Sequence, residues 1–174
     1  MNAPLPSSAL GAMHNPTAGA PSDGRPDAAS RAARQAEVVQ ALRGVLPGHA
    51  LLWHQEDVVP YECDGLTAYR AQPLCVVLPE TEAQVAAVLK TCHRLQVPVV
   101  ARGAGTGLSG GAMPHEQGVT LSLAKFNQIL QVDPVSRTAT VQCGVRNLAI
   151  SEAAAPYGLY YAPDPSSQIA CTIG

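Results

Sequence analysis

Arg102-Gly103-Ala104-Gly105-Thr106-Gly107-Leu108-Ser109-Gly110-Gly111 comes directly after Val97-Pro98-Val99-Val100-Ala101. The first part of this stretch is a β-branched apolar run and reads as a short buried strand. The second part is half glycine. Glycine tolerates positive φ and carries no Cβ, so the backbone there can approach another group closely. Successive N–H groups in such a turn converge on anions, phosphate above all. Arg102 adds a fixed cation whose donors match phosphate oxygens, and Thr106 and Ser109 add hydroxyls. The residues therefore describe a pyrophosphate cradle, although the same composition also fits a plain glycine-rich hairpin loop.

Two common cradles are excluded. A P-loop ends in Gly-Lys-Ser/Thr, and no lysine lies in this stretch. Gly105, Gly107 and Gly110 do satisfy the Gly-x-Gly-x-x-Gly spacing, with Asp133 near the expected distance for a ribose-binding acid. That fingerprint needs a helix opening at the glycines. Here Pro114 and Gly118 interrupt the segment after the glycines, so the loop leads from strand to strand. A phosphate would be held by loop amides, not by a helix N-terminus. A Cβ at Gly105 is expected to block the ligand's approach.

Working outward, Leu74-Cys75-Val76-Val77-Leu78 is a second buried strand. Thr81 and Gln84 form a capping box, and Val85, Val88, Leu89, Cys92 and Leu95 make the apolar stripe of a helix that ends near Gln96. Strand, helix and strand form a βαβ unit with parallel strands and the glycine loop at a strand's carboxyl end, where such units bind ligands. Beyond the loop, residues 118–123 alternate apolar and polar. Residues 128–132 and 138–142 form a hairpin, and 146–155 a short helix stopped by Pro156 and Gly158. Mostly antiparallel strands are expected after the βαβ unit. Upstream, residues 1–30 are rich in Ala, Pro, Gly and Ser and predict a disordered tail. A helix is predicted over 31–46, followed by a lead-in to residue 72 with a turn at Asp64-Gly65, and residues 73–174 form the ligand-binding domain. Trp53 reads as a core residue. A second cluster, Ala162-Pro163-Asp164-Pro165-Ser166-Ser167 with Cys171-Thr172-Ile173-Gly174, reads by itself as an ordinary turn.

Together, the glycine loop and the Pro-Asp-Pro-Ser-Ser…Thr-Ile-Gly segment resemble the FAD-linked oxidases of the vanillyl-alcohol oxidase type, with their PCMH-type FAD-binding domain. Within that family the similarity is to the branch that includes the FAD-binding subunit of bacterial glycolate oxidase, and it runs from about Leu51 to Gly174. The resemblance implies a mixed α/β (α+β) fold that begins with the βαβ unit and is incomplete at its C-terminus. It implies FAD as cofactor, with Arg102, Gly103, Ala104, Gly105, Thr106, Gly107, Ser109, Gly110 and Gly111 around the pyrophosphate. Pro163, Asp164, Ser167, Ile173 and Gly174 would lie along the flavin. No histidine sits among residues 102–111, and Cys171 reads as a small packing residue, so noncovalent FAD is expected. The implied activity is oxidation of a 2-hydroxy acid, glycolate first and D-lactate or D-2-hydroxyglutarate as alternatives. Electrons would pass to partner subunits, one carrying an iron–sulfur centre. The proton-abstracting group is expected beyond residue 174, so this stretch alone should not turn over substrate. An inert nucleotide- or partner-binding module is the rival reading.

Composition limits the other classes. Net charge is −2 and aromatics are 4% of the chain, which supports neither a nucleic-acid partner nor an anionic membrane surface. Five cysteines (63, 75, 92, 143, 171) and five histidines (14, 49, 54, 93, 115) show no metal-ligand spacing. The expected state is reduced thiols in a cytoplasmic protein, in contact with the inner face of the membrane through partners. No run reaches the ~18 apolar residues of a spanning helix.

Overall fold

A computed structural model describes residues 27–163 and 168–174. Its centre is the expected βαβ unit: β2 (Cys75–Val77), α3 (Glu82–Arg94) and β3 (Val99–Arg102). Thr81 caps α3 by accepting from the Gln84 N–H at 3.2 Å, and the Gln84 side chain reaches back to the Glu80 N–H at 2.7 Å. At the other end Gln96 adopts φ 53°. Its N–H donates to the His93 carbonyl and that of Val97 to the Cys92 carbonyl, the paired bonds of a Schellman cap on a non-glycine residue. Glu82 in the first turn, with His93 and Arg94 in the last, matches the helix dipole.

The two strands of the unit run in the same direction, but they are not neighbours. β4 (Val119–Ser122) lies between them, parallel to both, and β1 (Leu51–Leu52) adds antiparallel to β2. The four-stranded sheet therefore has the order β1-β2-β4-β3. β4 is the exception to the expectation of mostly antiparallel strands after the unit; the later pairings, of residues 129–133 with 138–141 and of Arg146 with Thr172, are antiparallel. The alternation in Val119-Thr120-Leu121-Ser122 suggested one wet face, but all four residues are buried, because β4 is a central strand covered on both sides. Thr120 Oγ1 is left without a hydrogen-bond partner among the described residues.

α1 (Ala28–Leu42) begins three residues before the predicted start, where the Asp27 carboxylate accepts from the Ser30 N–H at 2.7 Å. It stops short of the predicted end at 46, before Gly44, yet Leu46 remains buried. Val38, Val39 and Leu42 of α1 pack with Val88 and Cys92 of α3 on the sheet face formed by Cys75, Val77, Val119 and Leu121. Each such residue, when fully buried, contributes about 1.5–3 kcal/mol. Trp53 packs against this core, with the Arg43 guanidinium 4.8 Å from its ring centroid. The expected tail lies, up to residue 26, outside the described residues.

The hairpin joins β5 (Ile129–Asp133) to β6 (Thr138–Val141), with Leu130 as an extra residue on β5. Asp133 Oδ1 accepts from the N–H groups of Val135 and Ser136, and these bonds, led by Ser136, hold its carboxyl below the usual range. α4 (Asn147–Ala154) comes next. Residues 171–174 then return antiparallel to 143–147. Ile173 N–H donates to the Val145 carbonyl and Gly174 N–H to the Cys143 carbonyl, and Asn147 N–H donates to the Cys171 carbonyl.

Candidate functional site

The glycine loop occupies residues 103–118, the crossover from β3 to its parallel neighbour β4. A parallel connection usually runs through a helix. Here irregular backbone makes the crossing, and other parts of the chain hold it in shape. Glycine is required at several points for this reason. A Cβ at Gly103 would overlap the Gly174 carbonyl oxygen and lie 2.5 Å from Thr172 Oγ1. Gly105 has φ 72°, and a Cβ there would run into the Arg102 guanidinium, 2.8 Å from Nε. The expectation that a Gly105 Cβ would block the ligand's approach is thus corrected: that direction is filled by the protein itself. At Gly107 and Gly111, by contrast, a Cβ would meet nothing within 4 Å.

The second wall is the C-terminal segment. Thr172 Oγ1 accepts from the Ala104 N–H at 3.1 Å and donates to the Gly174 carbonyl at 2.9 Å. Between this segment and the loop lies a groove of about 400 Å³, lined by residues 103–109, by Gly111 and Ala112, and by Cys171, Thr172 and Gly174. On the other side of the Ala104–Thr172 contact a second hollow, about 460 Å³, is bordered by Asn127, Arg146 and Thr172. Among the described residues no carboxylate or imidazole lines either one.

The backbone of the loop has a direction. The carbonyl oxygens of Thr106 and Gly107 approach Gly65, whose added Cβ would be 2.7 and 2.8 Å from them. Across a planar trans peptide the next N–H points the opposite way, so the Gly107 and Leu108 N–H groups face away from Gly65. Among the described residues, no protein acceptor meets any N–H group from Gly105 to Gly111. A run of unpaired donors above a floor open at Gly107 and Gly111 suits a diphosphate, which is all acceptor and needs close backbone approach.

The residues expected at the site divide between the groove and its support. Ala104, Gly105, Thr106, Gly107 and Ser109 line the groove with Gly103, Gly111 and Gly174. Gly110, at φ 76°, makes a turn in which the Met113 N–H donates to its carbonyl. Arg102 is not in the groove lining. Its Nη1 donates to the Cys63 carbonyl at 2.8 Å, and its guanidinium lies 5.5 Å from the Tyr61 ring centroid. Ile173 is half-exposed, and the Pro163 carbonyl accepts from Asn147 Nδ2 at 3.3 Å. Asp164 and Ser167 lie outside the described residues. Sequence reasoning treated Thr172 only as part of a turn cluster and Asp64-Gly65 only as a turn. The one signal for the latter was an Asx-Gly pair in an otherwise uninformative segment.

The thiols are free. Burial, with the neighbouring Cys92 adding to it, pushes the Cys75 thiol up to about 12. Among the described residues no cluster of three or more His, Cys, Asp or Glu could hold a metal, and no helix is long and apolar enough to cross a membrane.

The chain is 64% identical over 137 residues to glycolate oxidase subunit GlcD of Escherichia coli (strain K12), covering 79% of the chain and 28% of that protein. It is 40% identical over 114 residues to D-lactate dehydrogenase of Archaeoglobus fulgidus (strain ATCC 49558 / DSM 4304 / JCM 9628 / NBRC 100126 / VC-16), covering 65% and 25%. The chain thus spans about a quarter of the length of these curated relatives. Among solved structures, p-cresol methylhydroxylase with substrate bound superposes with a TM-score of 0.63 at 27% identity, over 73% of this chain and 25% of that one. Residues 73–174, which contain the glycine loop and the facing C-terminal segment, match the FAD binding domain family. The chain belongs to that FAD binding domain family.

Proposed function

We propose that this chain is the cofactor-holding part of an FAD-dependent 2-hydroxy-acid dehydrogenase that oxidises glycolate to glyoxylate. The observation that carries the reading is the run of loop N–H groups from Gly105 to Gly111 without acceptors among the described residues, beside a groove floored by Cβ-free backbone. In this reading those amides neutralise the diphosphate of a noncovalently bound FAD. Arg102 supports them from behind, and Pro163, Asp164, Ser167, Ile173 and Gly174 belong to the flavin side. When bound, FAD supplies the two-electron acceptor, and the polypeptide binds and orients it. The substrate choice is supported by the 64% identity to a glycolate oxidase subunit. The 40% identity to a D-lactate dehydrogenase makes D-lactate the second candidate, with D-2-hydroxyglutarate after it.

Among the described residues the groove offers no carboxylate or imidazole to take the hydroxyl proton. We therefore assign substrate binding and proton abstraction to residues outside this stretch, and expect no turnover from residues 1–174 alone. Partner subunits, one with an iron–sulfur centre, would carry the electrons onward, with the protein in the cytoplasm.

The test uses the protein encoded by the full coding sequence, purified from its host. Flavin absorbance that is released by acid, together with bleaching on addition of glycolate under anaerobic conditions, is the expected result. Absence of flavin overturns the cofactor assignment. Flavin that bleaches with D-lactate or D-2-hydroxyglutarate but not glycolate moves the substrate to that candidate, and flavin that bleaches with none of the three leaves an inert binder.

A further inference from the structure

The glycine loop has little internal support. Its residues carry few side chains to pack, and the Met113–Gly110 and Gly118–His115 bonds close only local turns. Besides the C-terminal segment at Ala104, what fixes its shape comes from residues 61–66, which the family match does not include. Four contacts converge there. The Cys63 carbonyl accepts from Arg102 Nη1, and the Tyr61 ring lies under the same guanidinium. Gly65 lies directly against the carbonyls of Thr106 and Gly107. Asp64, only 4% exposed, accepts from the Leu66 N–H through Oδ1 at 2.9 Å and from the Ala112 N–H through Oδ2 at 3.4 Å. These contacts reach the loop at its start (Arg102), its middle (Thr106 and Gly107) and its far side (Ala112).

We propose that Tyr61, Cys63, Asp64 and Gly65 form a clamp that positions the cofactor loop, with Arg102 as the clamp's link to the loop. The proposal rests on the FAD reading. Asp64 and Gly65 are positioning residues: they touch the loop and not the ligand. Gly65 sets the direction of two peptide planes, because carbonyls braced on one side turn the following N–H groups to the other. Asp64 divides its oxygens, one closing its own turn and one holding Ala112. Arg102 directs Nη1 to the Cys63 carbonyl and lays its guanidinium over the Tyr61 ring, which turns it away from the groove lining.

The division of labour at Asp64 supplies a selective variant. In Asp64→Asn the side-chain oxygen can still accept from Leu66, but the amide nitrogen then faces the Ala112 N–H, donor against donor. The local turn survives and the tether does not. Gly65→Ala is the stronger variant, since its Cβ must displace the Thr106 and Gly107 carbonyls. Gly48→Ala is the control, because a Cβ there meets nothing within 4 Å. Two measurements are made on the protein expressed from its full coding sequence. Amide hydrogen exchange over residues 103–112 in flavin-free protein, read at Ala104 and Ala112, whose N–H groups have protein acceptors, reports loop order without any cofactor. Flavin fluorescence titration reads FAD affinity.

The expected result is faster exchange over 103–112 in both Asp64→Asn and Gly65→Ala, with FAD binding weakened at least tenfold, while Gly48→Ala matches wild type. Exchange and affinity within twofold of wild type in both variants overturns the clamp. A general loss of protection across β2, β4 and α3, in step with 103–112, also overturns it, because that marks Asp64 and Gly65 as ordinary fold residues. Wild-type protein that takes up no FAD refutes the cofactor reading, and the exchange measurement still decides whether the clamp orders the loop.

Discussion

Gly103 and Gly107 sit four residues apart in one loop, yet their replacement should have opposite signatures. At Gly103 a Cβ would overlap the Gly174 carbonyl oxygen and press on Thr172 Oγ1. Gly103→Ala must push the C-terminal segment off the loop, which breaks the Ala104–Thr172 and Thr172–Gly174 hydrogen bonds. Two such bonds at about 1 kcal/mol each, plus about 1–3 kcal/mol of overpacking, give a destabilisation of roughly 3–5 kcal/mol. At about 2–4 °C per kcal/mol for a domain of this size, Tm should fall by some 6–20 °C. At Gly107 the same atom meets nothing within 4 Å and the backbone is not left-handed. Gly107→Val should therefore leave the flavin-free Tm nearly unchanged, while its side chain fills the groove. Moving a phosphate oxygen off even one N–H donor costs about 1.5–3 kcal/mol, so FAD affinity should drop ten- to a hundredfold or more. Differential scanning fluorimetry on flavin-free protein and flavin titration separate the two effects. Wild-type FAD affinity in Gly107→Val would refute the placement of the cofactor in this groove. An unchanged Tm in Gly103→Ala would refute the packing of loop against C-terminal segment.

Thr120→Val should stabilise the protein by about 1 kcal/mol or more in chemical denaturation, since it replaces a buried hydroxyl without a partner by a methyl group of the same shape. Replacing Gln96, at φ 53°, with glycine should also stabilise, by up to about 1 kcal/mol, because the left-handed cap position suits glycine. Stability should decline in alkali. Cys75 loses its proton near 9 when unfolded and near 12 when folded. Its contribution is therefore complete below about pH 9 and is lost as pH rises toward 12, at up to about 1.4 kcal/mol per pH unit. A stability curve flat from pH 8 to 11, or one in which Cys75→Ser does not reduce the slope, would contradict this.

The elements legible in the sequence are those whose signals are local. The capping residues around Thr81, the apolar stripe of α3, the turn at Asp133 and the glycine run each announce themselves within a few residues, and each stands where it was expected, except that Leu89 of the stripe is exposed. The insertion of β4 between β2 and β3 was not legible, because strand order is decided by which edges are left to pair and not by any residue in β4. Val119-Thr120-Leu121-Ser122 even pointed the wrong way, since its alternation suggests a wet face. The central position overrides that pattern, at the cost of the orphan Thr120 hydroxyl. β1 was missed for a related reason: two residues pairing with Val76 and Val77 are too short to show a period.

The same distinction explains what the sequence revealed of the site and what it hid. Glycines mark where backbone must come close, but not which neighbour it must approach. Gly103, Gly105 and Gly107 look equivalent in the sequence. In the fold they answer to three different partners: the Gly174 carbonyl, the Arg102 guanidinium, and open groove. Arg102 shows the same ambiguity from the side of charge. A guanidinium beside glycines reads as an anion ligand, but its Nη1 is satisfied by the Cys63 carbonyl. A residue 39 positions away thus decides whether that charge faces the ligand or braces the loop. An anion site built from main-chain donors needs such bracing more than one built from side chains does, because its donors move whenever the backbone moves. Contacts distant in sequence, at Gly65, Asp64 and Thr172, are therefore as much a part of the groove as the glycines themselves.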